Sequence, residues 1–183
     1  MDVMKIIRKY FRPGTRGYRI YMEHARLVRD RALEVAERLK KRGLNPDMKF
    51  IEEAAMLHEI GTCMVHAPQI GCHGNRPYIC HGYLGREILE KEGLPRHGLA
   101  AERHVGVGLA REEIAKRGLP LPRRDMVPQT LEEKIVAFAD EFFSKTPTGW
   151  RVNSIEDIKK KISGFGKEKV RIFEEWLEFF GED

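Results

Sequence analysis

Several features that mark whole classes of protein are missing from this 183-residue sequence. No apolar run approaches the ~18 residues of a bilayer-spanning helix, so we expect no membrane segment. The only cysteines, Cys63, Cys72 and Cys80, are an odd number within one segment, which argues against a disulfide framework and indicates a reducing compartment. The beginning, MDVMKIIRKYFRPG, has basic residues between its apolar ones and no small-residue cleavage site after them. We therefore expect a cytoplasmic protein.

Concentrated positive charge is also lacking. The formal net charge is +5 at pH 7, but Asp and Glu are interleaved with Lys and Arg along most of the chain. A surface that binds duplex nucleic acid needs its basic residues gathered in a stripe or patch. The charge pattern thus argues against a duplex partner and favours a small phosphorylated ligand.

No stretch of alternating apolar and polar residues is long enough to predict a strand, whereas apolar residues recur at helical spacing through most of the chain. We therefore expect an all-α fold, and a length of 183 residues predicts one domain. The predicted helices cover residues 17–43, 47–60, 81–92, 98–117 with a bend near Gly106 and Gly108, 130–145, and two short segments on either side of 164–166. Residues 61–80 and 118–129, which are rich in Gly or Pro, are predicted loops.

Histidines occupy apolar helical faces. Projected at 100° per residue, His24, His58, His81 and His104 each fall among apolar or small residues of their own helix. A single inward histidine is usually a hydrogen-bonded core residue. Four of them on four separate helices indicate a shared site instead.

Two carboxylates join these histidines on buried faces, Glu59 and Asp140. An ionised carboxylate in apolar surroundings is costly unless a cation or strong donors compensate it. Histidine and carboxylate together are ligands of divalent transition metals. Four neutral imidazoles and two carboxylates carry a charge of −2, so two divalent ions would leave the site positive and open to phosphate. A zinc-protease motif is excluded because Thr62 stands where H-E-x-x-H requires its second histidine.

In this order, the six residues and the phrases around them resemble the HD-domain superfamily of metal-dependent phosphohydrolases. The similar phrases are AAMLHEIG, HGYLGREIL, AERHVG and EEKIVAFADEFF, and the resemblance covers roughly residues 20–145. It implies a compact helical HD-domain fold for the single domain 1–183, with a core at about 18–145 and a helical C-terminal extension at about 153–181.

The resemblance also implies a set of metal ligands. The first metal would take His24, His58, Glu59 and Asp140, and the second His81 and His104, with Glu59 bridging. The chain departs from the family pattern at Glu59, where the family has aspartate. The implied cofactors are one or two divalent ions, among Mn, Fe, Co, Ni, Mg and Zn.

The activity implied by the resemblance is hydrolysis of a small phosphorylated substrate, which we expect to be a nucleotide, by attack of metal-activated hydroxide on phosphorus. Glu59 and Asp140 are the candidate catalytic residues. Arg31, seven residues after His24, and Arg86, on the His81 helix, are candidate phosphate contacts. Phosphomonoester and phosphodiester substrates both stay open.

Two alternative functions are compatible with the same residues. Some HD-domain proteins use a diiron pair with this ligand order to activate oxygen, and a site degenerate at Glu59 could bind metal or nucleotide as a sensor without turnover. The oligomeric state is also open. The aromatic C-terminal segment, with Phe173, Trp176, Phe179 and Phe180, could pack on the core or on another subunit as in a homodimer.

Overall fold

The computed structural model describes residues 1–182. Helices carry its core, as expected for an all-α fold, and its four strands form only two short antiparallel hairpins. The helices are α1 (Val3–Tyr10), α2 (Arg16–Lys41), α3 (Met48–Leu57), α4 (His81–Lys91), α5 (Pro95–Arg103), α6 (Arg111–Lys116), α7 (Leu131–Glu141), α8 (Ile155–Ser163) and α9 (Lys167–Phe180). The strands are β1 (His66–Ala67), β2 (Cys72–His73), β3 (Phe143–Thr146) and β4 (Gly149–Val152).

Side-chain caps explain where several helices begin. Thr15, Asp47 and Thr130 precede α2, α3 and α7, and each accepts a hydrogen bond from a backbone N–H of the first turn. Ser154 forms a reciprocal capping box with Asp157 at the start of α8. Such caps satisfy donors that have no partner within the helix. Helix α1, which the sequence analysis did not predict, begins in the same way after Asp2.

Two predicted helices end earlier than expected. Helix α3 stops at Leu57 rather than at residue 60, so Glu59 precedes a 3-10 turn instead of lying in the helix. Helix α7 stops at Glu141 rather than at residue 145, and the next residues form β3. Pairing of β3 with β4, such as Lys145 opposite Trp150, is a contact between segments that helical periodicity does not detect.

The predicted helix over 98–117 is two helices, α5 and α6, joined by an irregular segment. Gly106 and Gly108 lie in this segment with φ values of 61° and 94°. Because L-residues with side chains rarely adopt such positive φ angles, glycine permits the turn that ends the helix after His104. The predicted bend is thus a complete break.

The predicted loop 61–80 is largely structured by β1, β2 and short 3-10 turns. Gly61 packs against the start of α4, where an added Cβ would lie 2.1 Å from the His81 carbonyl oxygen. Glycine is therefore required there by close backbone approach. The carboxylate and the histidine on either side of this contact, Glu59 and His81, are held near each other as a result.

The C-terminal helix packs on the core of the same chain. Phe173, Trp176, Leu177 and Phe180 of α9 are buried in a cluster with residues of α2, α3, α7 and α8, whereas Phe179 is 42% exposed. The core of the same chain thus covers most of the aromatic face of α9. That the whole chain is one domain stays a prediction, and the oligomeric state stays open. Within residues 1–182, no helix has the length and hydropathy to cross a bilayer.

Phe138 is central to this cluster, since its ring centroid lies 5.1 Å from that of Phe142, 5.6 Å from that of Phe173 and 4.8 Å from that of Phe180. We predict that Phe138→Ala lowers the free energy of unfolding by about 3–5 kcal/mol, because it leaves a cavity between α7 and α9. Urea denaturation measures the change. The control Val152→Ala, at an exposed position of β4, should cost no more than about 0.5 kcal/mol. Equal effects of the two changes would contradict the packing of α9 on the core.

Candidate metal centre

Five helices bring the six predicted ligands to one place. His24 lies within α2, His81 begins α4 and Asp140 lies in α7. His58 and Glu59 follow the end of α3, and His104 follows the end of α5. Two overlapping groups result, each with ligand atoms that all lie within 4.8 Å of one another. The first group contains His24, His58, Glu59 and Asp140, and the second contains Glu59, His81 and His104.

Glu59 belongs to both groups. Its Oε1 lies 3.5 Å from His81 Nε2 and 3.6 Å from His104 Nε2. Its Oε2 is buried without a hydrogen-bond partner among the described residues. A buried carboxylate oxygen without a partner is costly, and a cation would compensate it. The position shared by both groups is the one that a bridging carboxylate needs.

Three of the histidines are oriented by the same local contact. In each ring Nδ1 lies within hydrogen-bond distance of the carbonyl oxygen three residues earlier, and because a carbonyl can only accept, Nδ1 donates. The neutral ring then presents its lone pair on Nε2 to the site. The pairs are His58 with Ala55 at 2.6 Å, His81 with Tyr78 at 2.7 Å, and His104 with Ala101 at 2.7 Å.

Atoms that carry lone pairs lie close together at the centre of the site. His81 Nε2 lies 3.1 Å from His104 Nε2, and His58 Nε2 lies 3.3 Å from Asp140 Oδ1. With Nδ1 of each ring already donating, such contacts repel unless a proton or a cation lies between the atoms. Nitrogen and carboxylate oxygen donors at these separations fit divalent transition metals. The donor set therefore has the composition and the charge of a metal centre.

Burial keeps two of the imidazoles neutral. It lowers the pKa of His24 to about 4, helped by the nearby positive charge of Lys145, and it lowers the pKa of His81 to about 4. His104 differs, because hydrogen bonding and proximity to Glu59 raise its pKa in spite of burial. Neutral imidazole is the form that binds a metal.

The two carboxylates stay ionised in the same surroundings. Burial favours the protonated form of both, but nearby positive charge and hydrogen bonds outweigh it. The charge of Lys145, whose Nζ lies 2.8 Å from Oε1, holds the pKa of Glu59 well below its usual range. A hydrogen bond with His24, whose Nε2 lies 2.9 Å from Asp140 Oδ1, does the same for Asp140.

Lys145 is a site residue that the sequence analysis missed. Its Nζ lies 2.8 Å from Glu59 Oε1 and 3.3 Å from His24 Nε2, and its side chain is buried. Interaction with Glu59 raises its pKa above the usual value although burial opposes this. In a continued helix, Lys145 would point about 140° away from Asp140. In β3 it points to the same centre, and no pattern in the sequence signalled this.

A cavity of about 400 Å³ opens beside the centre. Its lining includes five residues of the site, Glu59, His81, His104, Asp140 and Lys145. This volume lies within the range of about 300–1,000 Å³ that is typical of pockets for small molecules. The polar centre is therefore accessible to a small ligand.

The two predicted phosphate contacts are not part of this cavity lining. The Arg31 guanidinium donates to Glu182 and lies 4.4 Å above the Phe142 ring centroid. Arg86 donates to Glu90 at 2.7 Å and to Glu102 at 2.6 Å. Both arginines thus neutralise carboxylates elsewhere, and their placement does not support the predicted contacts with substrate.

Comparison with known families agrees with the fold. A family model described as HD domain matches residues 21–144. The chain belongs to the HD-domain family, which confirms the resemblance found in its sequence. An uncharacterized protein of Methanocaldococcus jannaschii is 37% identical over 147 residues, which cover 80% of this chain and 78% of that protein.

Other similar proteins extend well beyond the matched region. A tRNA (cytidine(56)-2′-O)-methyltransferase of Thermoplasma volcanium is 29% identical over 86% of this chain, but the match spans only 43% of that enzyme. The enzyme of the same name from Picrophilus torridus is 38% identical over 54% of this chain and 25% of its own length. The chain thus spans less than half of these two relatives.

A solved structure is similar to the fold as a whole. The HD domain of the phosphodiesterase PgpH from L. monocytogenes superposes with a TM-score of 0.53, covering 96% of this chain and 95% of that one. At 16% sequence identity, this similarity shows the fold alone.

We predict that His58→Ala and Asp140→Ala each remove most of the bound divalent metal, because both side chains belong to the first ligand group. Elemental analysis of the purified variants measures the metal, and far-UV circular dichroism should show nearly unchanged helix content. The matched control is His97→Ala, because His97 pairs with Glu53 outside the site, and it should keep the metal. Full metal occupancy in both site variants would contradict the assignment.

Proposed function

We propose that this protein is a metal-dependent phosphohydrolase that acts on a small phosphorylated molecule. The proposal rests on two overlapping groups of histidine and carboxylate ligands, which share Glu59 and lie beside a cavity of about 400 Å³. Membership of the HD-domain family supports the same reaction class. A nucleotide is the substrate that we propose within that class.

In this proposal His24, His58, Glu59 and Asp140 hold one divalent ion, and His81 and His104 hold a second together with Glu59. The bound ions, of which Mn, Fe, Co, Ni, Mg and Zn are candidates, would supply a water nucleophile at neutral pH and stabilise charge on the phosphoryl oxygens. The chain itself contributes the imidazole nitrogens and the ionised carboxylates that such binding needs. Of these, Glu59 and Asp140 are the proposed catalytic carboxylates.

In this proposal Lys145 offers the positive charge that the sequence predicts at Arg31 and Arg86. Its ammonium group lines the cavity and lies beside Glu59, whereas both arginines are paired with carboxylates outside the lining. A lysine ammonium is a compact charge with three donors, which suits a phosphoryl oxygen. We propose that Lys145 contacts the substrate phosphate next to the metal centre.

The methyl transfer named for the two longer relatives is not part of this proposal. The matches cover 43% and 25% of those enzymes, and their names describe the whole proteins. The cytoplasmic location stays a prediction from the cysteine content.

The reaction class is tested with purified protein loaded in turn with Mn, Fe, Co, Ni and Mg and incubated with a panel of phosphorylated metabolites. We predict metal-dependent release of phosphate or of a shorter phosphate ester without oxygen uptake, and its loss in His58→Ala. Oxygen uptake by the iron-loaded protein without phosphate release would instead establish the diiron oxygenase alternative. If Glu59→Asp shows hydrolysis that the parent lacks with every metal, the natural protein is a sensor and not this enzyme.

The role of Lys145 is tested by Lys145→Met, which keeps much of the side-chain length and removes the charge. We predict a fall in kcat of at least about 10-fold, since a charge aimed at the phosphoryl oxygens is lost. Metal content should stay near that of the parent, because the six ligands remain. Lys116→Met, at an exposed position of α6, is the control and should leave kcat unchanged. An unaltered kcat in Lys145→Met would remove this residue from the mechanism.

A further inference from the structure

The C-terminal extension forms part of the wall of the catalytic cavity. Helices α8 and α9 follow residue 144, where the match to the HD-domain family ends. Four residues of this extension nevertheless line the same cavity as the proposed metal ligands: Lys161, Ile162, Phe165 and Lys169. The walls of the pocket are thus not built by the family core alone.

Two ion pairs attach this wall to the rest of the site. Lys161 Nζ lies 3.2 Å from Glu141 Oε2, at the end of α7, and Lys169 Nζ lies 2.9 Å from Glu113 Oε2, in α6. Both lysine charges are therefore already compensated by carboxylates. The extension consequently contributes a fixed wall but little uncompensated positive charge for phosphate.

Phe165 is the aromatic group of this wall. It lies in the turn between α8 and α9, where it is 39% exposed and lines the cavity. The Arg117 guanidinium lies 5.1 Å from its ring centroid, and Arg117 also donates to the Gly164 carbonyl at 3.3 Å. These contacts help to hold the Phe165 ring beside the cavity.

Two further aromatic residues line the same cavity. Tyr78 lies beside a proposed metal ligand, with its ring centroid 4.8 Å from that of His81. Phe143 belongs to β3, two residues before Lys145. Apolar side chains such as Ile79 and Leu109 fill much of the remaining lining. Apart from the metal centre, Lys145 and the two paired lysines, the cavity therefore offers mainly aromatic and apolar surface.

We propose that the C-terminal extension selects the organic group of the substrate, with Phe165 packing against a planar ring such as a nucleobase while the phosphate lies at the metal centre. This inference rests on the proposed function, since it assumes that the metal centre receives the phosphate. Aromatic side chains favour stacked or edge contacts with planar rings. A substrate made of phosphate groups alone would leave this surface unused, so the wall favours a phosphate ester that carries a planar ring over inorganic polyphosphate.

The inference is tested by binding, which does not require turnover. Isothermal titration calorimetry on the metal-loaded protein would use the 5′-methylenephosphonate analogues of adenosine, guanosine, cytidine and uridine, whose C–P bond resists hydrolysis. Methylphosphonate serves as the matched anion without a base. At least one nucleoside phosphonate should bind more tightly than methylphosphonate. We predict that Phe165→Ala weakens its binding about 5- to 10-fold and leaves methylphosphonate binding unchanged.

The controls separate a contact with the base from a general loss of structure. Phe165→Trp keeps a planar ring and should restore most of the affinity. Phe179→Ala removes an aromatic residue of α9 that is similarly exposed but does not line the cavity, and it should bind both ligands like the parent. The inference is wrong if no nucleoside phosphonate binds more tightly than methylphosphonate, or if Phe165→Ala weakens both ligands equally or neither. Phe165-dependent binding without hydrolysis of any phosphate ester would overturn the proposed reaction and retain this inference.

Discussion

The ionised carboxylate of Glu59, buried where the helices meet, is the constraint on which the site depends. A charge in such surroundings is costly unless positive charge and donors surround it. Lys145 lies 2.8 Å away, and the Nε2 atoms of His81 and His104 lie 3.5 and 3.6 Å away. Lys145 is the compensating cation, and it reaches Glu59 only when β3 is docked beside the segment that follows α3, so this charge is compensated only in the folded chain.

Helix ends, more than helix faces, present the ligands. His58 and His104 directly follow α3 and α5, and His81 begins α4. At each of these positions the ring nitrogen Nδ1 reaches the carbonyl three residues earlier. The backbone thereby sets the tautomer and the direction of the opposite nitrogen. Gly61 permits the close approach that brings the segment after Glu59 against α4.

Around this polar centre, the chain builds a pocket from two sources. The family core supplies the proposed ligands, and the C-terminal extension supplies Phe165 and neighbouring residues of the wall. Burial of the aromatic face of α9 against Phe138 fixes the position of that extension. Stability of the core and shape of the pocket are thus linked through the same helix.

Much of the fold and the composition of the site could be predicted from the sequence. Helical periodicity, the caps Asp47 and Thr130, and the placing of histidines on apolar faces are local properties, since each depends on residues within a few positions. The inward direction of His24 and Asp140 follows from their own helices. The order of six residues of metal-binding type is sufficient to indicate the family.

Only the tertiary structure decided which charged groups surround the centre and what shape the cavity has. Lys145 enters the site because β3 pairs with β4, and Arg31 stays outside because Glu182 lies beside it at the other end of the chain. Phe165 reaches the cavity because α9 packs on the core. Each outcome depends on contacts between residues far apart in sequence, which compete with local preference and leave no periodic signal. The sequence by itself thus determined the class of fold and the types of ligand. Long-range packing determined which basic side chains and which cavity walls surround those ligands.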